Sequence, residues 1–370
     1  MITKQLIALL SAVVTFAISP IADACTGITL EAQDGSVVFG RTMEWGTFDL
    51  LSRVIAIPRG QQFTGHTPDQ QSGLSWEGKY GFVGLDAPAL GEDLILDGMN
   101  EKGLAVNGFY LPGFTEYQSY DPAKPSQSIG PGDVIAYLLS TTATVDEVKA
   151  ALTKIRVTPV VEQTLGFAPP GHFIVTEPSG KAIVIEYIDG ELVIYNAPLG
   201  VITNAPNYDW HMTNLRNYLN LSMVALPSKS IEQMDFAPLG GGSGMIGLPG
   251  DNTPPSRFIR AVAFSQTARP TPTGEETVYE TFRVLDNFNL PLGFAEGEGE
   301  IKTKGMRSST IWTTVYDTKN KALYYHTQHN RRVRRLDLDK IDFGTLSKPI
   351  LIPLDTIKAQ DIEDITPVGK

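Results

Sequence analysis

The only cysteine of the 370-residue chain, Cys25, directly follows a segment with the properties of a secretion signal. After a positively charged start, an apolar run extends from Leu6 to Ile18, and Ala22 and Ala24 form a small-residue cleavage pattern. The apolar run is shorter than the ~20 residues that a membrane-spanning helix needs. We therefore expect residues 1–24 to be a bacterial signal peptide. The mature protein would then be periplasmic or secreted, would have no membrane span, and would begin at Cys25.

Three interpretations of Cys25 remain open on this junction alone. It is a small buried apolar residue, the acylated anchor of a lipoprotein, or the nucleophile of an enzyme. The charged Asp23 disfavours the lipoprotein, whose signals usually carry a small residue at that position. The nucleophile has a chemical argument in its favour, since cleavage leaves a thiol and an α-amine on one residue. An amine with a pKa of about 7.7–8.0 can accept the thiol proton near neutral pH.

Composition excludes several classes of protein. One cysteine allows no internal disulfide, so the stability of an exported chain must come from core packing. The net charge is −11 and basic residues do not dominate any long region, which argues against nucleic acid as a partner. The five histidines lack the spacing of a zinc-binding helix, and Gly240–Gly244 lacks the Lys-Ser or Lys-Thr of a phosphate-binding loop. We expect no metal and no cofactor.

The order of predicted elements indicates two antiparallel sheets with helices outside them. Hairpins are predicted over 27–45, 94–107 and 309–328, and a three-stranded meander over 172–195. Helices are predicted over 134–140, 145–154, 208–221, 256–264 and 276–285. Residues 57–92 are expected to form long loops, and residues 201–204 to form the end of a strand. This is a layered α+β arrangement in a single domain that covers residues 25–370.

Six short motifs follow one another along the chain: Cys25-Thr26, Gly40–Trp45, Gly98–Leu104, Thr203–Pro206, His211–Leu215, and Gly247–Asp251 with Ser256–Phe258. In this order they resemble the choloylglycine hydrolase family, which contains conjugated bile acid hydrolases and penicillin V acylases. That family is part of the N-terminal nucleophile hydrolases. The resemblance implies a four-layer αββα fold, hydrolysis of a linear amide and a homotetramer.

The resemblance also implies roles for individual residues. Cys25 would be the nucleophile, with its own α-amine as the base. Arg41 would lie beside the thiol and favour the thiolate. Asn204 would stabilise the oxyanion of the tetrahedral intermediate, and Arg257 would be a second arginine of the active site.

Glu44 is a departure from the family's pattern, because most members carry an aspartate there that holds the amine of the nucleophile. Glutamate keeps the charge but is one methylene longer, so the same contact needs a different backbone position. Asp49 is the alternative candidate for this role. We expect Glu44 to perform it.

Aromatic residues beside these motifs predict the substrate-binding part of the site. Trp45, Phe109 and Tyr110 are expected to form an apolar pocket for the acyl group, whereas Trp76 is expected to belong to the core. Penicillin V acylases tend to carry tyrosine where Tyr110 aligns, and bile acid hydrolases typically carry asparagine. The chain is therefore expected to be an exported amidohydrolase of the penicillin V acylase type, with activity on N-acyl homoserine lactones as a further expectation. A bile salt hydrolase and a non-catalytic lipoprotein or binding module are the alternatives.

Overall fold

In a computed structural model of the protein, the described residues are 25–45, 48–91, 94–291 and 310–367. The predicted signal peptide, residues 1–24, lies outside them, and so does Ser309 at the start of the last predicted hairpin. In chain order the strands are β1 (Gly27–Glu31), β2 (Val37–Glu44), β3 (Arg53–Ile57), β4 (Gln62–His66), β5 (Ser72–Glu77), β6 (Phe82–Asp86), β7 (Ile95–Asn100), β8 (Ala105–Tyr110), β9 (Ser128–Ile129), β10 (Arg156–Val157), β11 (Gly171–Thr176), β12 (Ala182–Ile188), β13 (Glu191–Asn196), β14 (Lys229–Ile231), β15 (Met234–Phe236), β16 (Thr310–Asp317), β17 (Ala322–Thr327), β18 (Arg334–Asp337) and β19 (Ile350–Pro353). The α-helices are α1 (Val134–Thr141), α2 (Val145–Leu152), α3 (Tyr208–Leu215), α4 (Pro254–Thr267) and α5 (Gly274–Leu285).

One antiparallel sheet carries the start of the described chain. Its strand order is β1-β2-β16-β17-β18. The turn between β1 and β2 uses Gly35 at a φ of 79°, a conformation that glycine adopts without the steric cost of a Cβ atom. Gly27 lies opposite Arg41 in this hairpin, and Arg41 lies opposite Thr314 of β16. The register therefore brings Arg41 to the end of β1 that follows Cys25.

The second antiparallel sheet has the strand order β13-β12-β11-β8-β7-β6-β3-β19. Its central strands are buried, and two of them approach each other closely at glycine. A Cβ atom on Gly84 of β6 would lie 2.3 Å from the carbonyl oxygen of Asp97 on β7. Glycine is required there by the close approach of two backbones.

Helices cover the outer faces of both sheets. Helices α4 and α5 pack on the first sheet, and α1 packs on β7 and β8 of the second sheet. Two apolar clusters result: the larger one takes in both sheets and α4 and α5, and the other joins the second sheet to α1 and α2. The predicted four-layer αββα arrangement is confirmed. None of the helices in the described ranges is long and apolar enough to cross a membrane.

Most of the predicted elements are confirmed. The two N-terminal hairpins and the meander are present, and the last predicted hairpin is seen from Thr310 onwards. Threonine caps begin two of the helices, with Thr144 Oγ1 accepting the Glu147 N–H at 3.1 Å and Thr273 Oγ1 accepting the Glu276 N–H at 3.3 Å. Such local signals act within one helical turn, so they do not depend on tertiary contacts.

Three predictions about elements were wrong, and two strands near the end of the chain were not predicted. The segment 57–92 contains β4, β5 and β6 rather than only loops, because its glycines serve close packing. Around residues 201–204 only Ile202 pairs, in an isolated bridge to Gly27, before the cis peptide bond between Ala205 and Pro206. Helix α3 ends at Leu215 instead of continuing to residue 221. Two further strands, β18 and β19, follow the last predicted hairpin.

Candidate active site

Cys25 is buried two residues before β1, with 5% of its surface exposed. Two residues later, Gly27 exchanges two backbone hydrogen bonds with Ile202, at 2.8 and 3.1 Å. A Cβ atom on Gly27 would lie 2.8 Å from the Phe109 ring and 2.9 Å from the side chain of Ile202. Glycine at this position therefore allows the segment around Asn204 to come close to the cysteine.

Arg41 directs one hydrogen-bond donor at the thiol and anchors its other nitrogens on the backbone. Its Nη2 lies 3.2 Å from Cys25 Sγ, while Nη1 donates to the carbonyl of Gly108 at 2.6 Å and Nε to that of Thr42 at 3.2 Å. The guanidinium carbon also lies 4.5 Å from the centre of the Phe109 ring. The side chain is fully buried, and its planar fork uses all three nitrogens. Arg41 is thereby held in one orientation, aimed at the sulfur.

The environment of Cys25 works in two directions on its thiol. Burial raises the pKa of Cys25 to about 11, because the thiolate loses its hydration. Arg41 opposes this rise most strongly, and a hydrogen bond from the main-chain N–H of Glu44 and the charge of Arg257 oppose it as well. With Cys25 still part of a longer chain, the thiol is therefore predominantly protonated at neutral pH.

Glu44 lies at the end of β2 and is buried beside the same cysteine. Its Oε2 accepts a hydrogen bond from Thr42 at 3.1 Å, and its Oε1 accepts one from Thr310 at 2.7 Å. Burial raises the pKa of Glu44 to about 7, although both threonines and Arg257 favour the carboxylate. Asp49, the alternative candidate, forms a surface ion pair with Lys358 at 3.2 Å. Glu44 is thus the buried acid next to Cys25, and its contact with a free amine stays a prediction.

Arg257 connects the cysteine to Asn204. This arginine is on α4 but is fully buried. Its Nη1 donates to the carbonyl of Cys25 and, at 2.9 Å, to Thr26 Oγ1, and its Nη2 donates to Asn204 Oδ1 at 2.7 Å. Asn204 Nδ2 in turn donates to the carbonyl of Tyr110 at 2.8 Å. The contacts with Arg257 and Tyr110 fix the same orientation of the Asn204 amide. The second hydrogen of Nδ2 has no hydrogen-bond acceptor in the described chain.

Two buried histidines support this segment, and neither was among the predicted site residues. His172 Nε2 contacts the carbonyl of Thr203 at 3.0 Å, and its Nδ1 contacts Glu186 Oε1 at 3.0 Å. His211 Nε2 contacts the carbonyl of Asn204 at 2.8 Å. Because the two histidines hold successive carbonyls, they fix the backbone from which the Asn204 side chain projects. The only sequence signal was the position of His211 within one of the six motifs.

An apolar cavity of about 120 Å³ opens next to Cys25 and Arg41. We call it the acyl cavity; its walls include Met43, Trp45, Leu90, Leu94, Leu96, Phe109, Tyr110, Pro131, Gly132, Ile135, Leu165, Pro169 and Phe173. The three predicted pocket residues, Trp45, Phe109 and Tyr110, all line it. Trp76 does not line the cavity; it is half-buried, stacks on Phe63 at 5.1 Å, donates to Ser140 and packs against the apolar cluster of the second sheet. The cavity can take an apolar group whose carbonyl reaches the sulfur.

Within the described ranges, no group of three or more His, Cys, Asp or Glu side chains is placed to hold a metal ion. The buried charges around Cys25 are those of Arg41, Arg257 and Glu44. The site's own chemistry is therefore that of a thiol between two guanidinium groups and a carboxylic acid. Such groups serve nucleophilic attack on a carbonyl carbon and stabilisation of the resulting oxyanion.

Comparison with known proteins gives consistent matches over almost the whole described chain. The family model of linear amide C–N hydrolases, choloylglycine hydrolase family, matches residues 25–352. A bile salt hydrolase/transferase of Clostridium perfringens (strain 13 / Type A) is 29% identical over 319 residues, which are 85% of this chain and 93% of that protein. Among solved structures, a variant of conjugated bile acid hydrolase from Clostridium perfringens has a TM-score of 0.78 at 26% identity, covering 92% of this chain and 100% of the other. Penicillin V acylase from Agrobacterium tumefaciens has a TM-score of 0.71 at 25% identity, covering 91% and 95%.

The αββα sandwich with a cysteine at the start of its first strand defines an N-terminal nucleophile hydrolase. Within that class, the chain belongs to the choloylglycine hydrolase family of linear amide C–N hydrolases.

Proposed function

We propose that the protein is an exported N-terminal cysteine amidohydrolase that acts on small N-acyl compounds in the manner of a penicillin V acylase. The observation that carries the proposal is the position of Cys25 Sγ. It lies 3.2 Å from Arg41 Nη2 and at the wall of an apolar cavity. A nucleophile, a cation and an acyl-binding cavity thus meet at one point.

The reaction proceeds in two halves. Cys25 Sγ attacks the amide carbonyl carbon, and the thiol proton passes to the α-amine of the same residue. The oxyanion of the tetrahedral intermediate accepts a hydrogen bond from the second N–H of Asn204 Nδ2. As the C–N bond breaks, the α-ammonium returns its proton to the leaving amine and a thioester remains. Water then attacks the thioester with the α-amine as base, which releases the carboxylic acid and restores the thiol.

Cleavage after Ala24 has a chemical purpose in this mechanism. Before it, the nitrogen of Cys25 is an amide and cannot serve as a base. After cleavage, the α-ammonium group lies on Cys25 itself. Its positive charge lowers the pKa of the Cys25 thiol, which burial had raised. Glu44, buried beside Cys25, is the group that would hold the ammonium. Export and activation would therefore be the same event.

The size of the acyl cavity favours a small acyl group. An apolar cavity of about 150 Å³ is known to hold one benzene molecule, and the acyl cavity is about 120 Å³. The aromatic ring of a phenoxyacetyl group is close to this size, and the aromatic walls formed by Trp45 and Phe109 suit it. N-acyl homoserine lactones present an aliphatic acyl group to the same surface and are proposed as a second class of substrate.

A bile salt hydrolase is the alternative within the family, and its support is the similarity to the bile salt hydrolase of Clostridium perfringens. A steroid acyl group is several times larger than one benzene ring, which favours the first proposal. A non-catalytic lipoprotein or binding module is the alternative of another class. The convergence of Arg41 and Arg257 on Cys25 has no purpose in such a protein.

We also propose that the protein assembles as a homotetramer, the state that the family resemblance implies. The hairpin of β14 and β15 supports association of the subunits, because its apolar side chains are exposed. Ile231, Met234 and Phe236 each have half or more of their surface in contact with solvent. Exposed apolar clusters of this kind commonly mark protein–protein interfaces. The mass in solution, measured by light scattering, tests this.

The function is tested with three forms of the protein: the chain that begins at Cys25, the same chain with one additional residue before Cys25, and Cys25→Ala. Hydrolysis of penicillin V, an N-acyl homoserine lactone and glycocholate is measured by the release of the primary amine. We expect activity only in the first form, with penicillin V preferred over glycocholate. Faster hydrolysis of glycocholate would favour the bile salt hydrolase. Activity in the extended chain would contradict the mechanism, and an acylated Cys25 in the intact mass would identify a lipoprotein.

A further inference from the structure

A buried carboxylate that the mechanism does not use lies next to the segment that carries Asn204. Glu186 is on β12, and its side chain has no exposed surface. Its Oε1 accepts the main-chain N–H of Tyr208 at 3.0 Å and lies 3.0 Å from Nδ1 of His172. Its Oε2 accepts a longer hydrogen bond from Asn207 Nδ2, at 3.5 Å. Glu186 therefore contacts the segment where α3 begins, on the C-terminal side of Asn204.

The same carboxylate reaches the other side of Asn204 through His172. Nε2 of His172 contacts the carbonyl oxygen of Thr203 at 3.0 Å, while Nδ1 faces Glu186. Residues 203–208 are thus held at both ends by one buried pair of side chains. A displacement of the backbone on either side of Asn204 would break a buried hydrogen bond.

The two contacts of His172 define where its protons lie. Each ring nitrogen faces an oxygen, so one hydrogen must lie toward the Thr203 carbonyl and another toward Glu186. An imidazolium donates to both oxygens, whereas a neutral imidazole donates to one. Burial, together with the charge of His172, lowers the pKa of the neighbouring His211 to about 4, so His211 is neutral near pH 7. His172 and Glu186 therefore form a buried ion pair beside a neutral histidine.

A buried ion pair requires an explanation other than stability. Removing two charges from water is costly, and apolar residues of similar volume often stabilise a protein as well or better. Apolar residues could not donate to the Thr203 carbonyl or accept the Tyr208 N–H. The pair of His172 and Glu186 is thus suited to fixing the geometry of the backbone around Asn204.

We propose that Glu186 is a positioning residue of the oxyanion site, which with His172 holds residues 203–208 so that Asn204 presents its second N–H to the oxyanion. This rests on the proposed function, in which Asn204 is the oxyanion donor. Glu186 is not part of the wall of the acyl cavity, so it acts through Asn204. Its charge is required, because one carboxylate oxygen accepts both from His172 and from Tyr208.

Glu186→Gln tests the proposal at nearly constant volume. An amide oxygen in place of Oε1 can accept from Tyr208 but no longer favours the imidazolium, and an amide nitrogen there can donate to His172 but opposes the Tyr208 N–H. We expect kcat for penicillin V, per titrated Cys25 thiol, to fall about tenfold or more with little change in KM. Glu191→Gln, at an exposed position of the neighbouring strand β13, is the matched control and should stay within twofold of the unmodified enzyme.

A second background separates positioning from a general loss of structure. In Asn204→Asp, which removes the oxyanion donor, the additional change Glu186→Gln should lower kcat less than twofold, because both substitutions act on the same N–H. An equal loss in both backgrounds would overturn the proposal. An unchanged kcat in Glu186→Gln alone would overturn it too.

Neutron diffraction from the unmodified enzyme at neutral pH tests the ion pair without any substitution and without catalysis. We expect deuterium on both ring nitrogens of His172 and none on the carboxylate of Glu186. Deuterium on only one ring nitrogen would refute the pair and the proposal with it. If no form of the protein hydrolyses an amide while both ring nitrogens carry deuterium, the proposed function is refuted and the ion pair stands.

Discussion

Arg41 and Cys25 are joined by a 3.2 Å contact between Nη2 and Sγ, and the strand register explains it. Gly27, two residues after the cysteine, lies opposite Arg41 in the hairpin of β1 and β2. The guanidinium is held in one position, because the carbonyls of Gly108 and Thr42 accept hydrogen bonds from its other nitrogens and the Phe109 ring packs on its face. One buried side chain therefore links the nucleophile to the wall of the acyl cavity.

Substitution of Arg41 by methionine should raise the pKa of the Cys25 thiol and lower kcat/KM by about 100-fold. The charge is the strongest factor that opposes the effect of burial on this thiol, and a hydrogen bond to a charged group contributes about 1.5–3 kcal/mol. The rate of alkylation of Cys25 against pH reports the thiol directly. Arg59→Met is the control, because that arginine pairs with Glu101 at the surface. An unchanged alkylation profile in Arg41→Met would contradict the role of Arg41.

Asn204→Asp should lower kcat by about 10²–10³-fold with little change in KM, which is the usual effect of removing one oxyanion donor. The aspartate keeps an oxygen for Arg257 Nη2 but has no N–H to offer the oxyanion or the Tyr110 carbonyl. Steady-state kinetics on one substrate separate the two parameters. A loss confined to KM would show that Asn204 binds the ground state instead. Asn217→Ala, on the exposed end of the same segment, is the control.

Glu44 should make the unprocessed chain less stable as the pH rises from about 4.5 to 7. Its pKa is raised to about 7 in the folded state, so in this interval the folded chain holds a proton that the unfolded chain has released. The stability that this proton contributes is complete below about pH 4.5 and is lost as the pH passes through 7. Over 2–3 pH units the change is of the order of 3 kcal/mol. Urea unfolding of Glu44→Gln, which does not titrate, should lack this fall, and an equal pH dependence in both proteins would contradict it.

His326 should destabilise the protein in mild acid. Burial lowers its pKa to about 3, and its Nδ1 has no hydrogen-bond partner in the described chain. The neutral ring is stable above about pH 6.5, and this contribution is lost as the pH falls toward 3. His326→Leu should therefore gain about 2 kcal/mol relative to the unmodified protein between pH 7.5 and pH 5. At pH 7.5 the difference in the free energy of unfolding between the two proteins reflects packing alone and serves as the reference. The absence of a further gain at pH 5 would contradict the prediction.

The motifs predicted a set of site residues that the structure brings close together. Cys25, Arg41, Glu44, Asn204 and Arg257 come together around one thiol, and Trp45, Phe109 and Tyr110 line one cavity. Arg257 looked like an ordinary helix-surface residue by its local pattern, yet it is fully buried. Only the resemblance to a family identified it, because periodicity within one helix cannot reveal what packs against it.

The residues that support the site could not be predicted from the sequence. His172 contacts the Thr203 carbonyl and Glu186, which lie 31 and 14 residues further along the chain. Nothing in the local pattern of β11 distinguishes such a histidine from one that fills the core.

The sequence by itself determined the hairpins, the capped helices, the order of the motifs and the position of the single thiol after a predicted cleavage junction. These depend on alternation, on turn residues and on chemical type, all of which act over a few neighbouring residues. The tertiary structure alone decided that Arg41 and Arg257 are buried against Cys25 and that residues 57–92 contribute strands. Each of these depends on contacts between segments far apart in the chain, where the approach of one backbone to another, rather than local preference, selects the side chain.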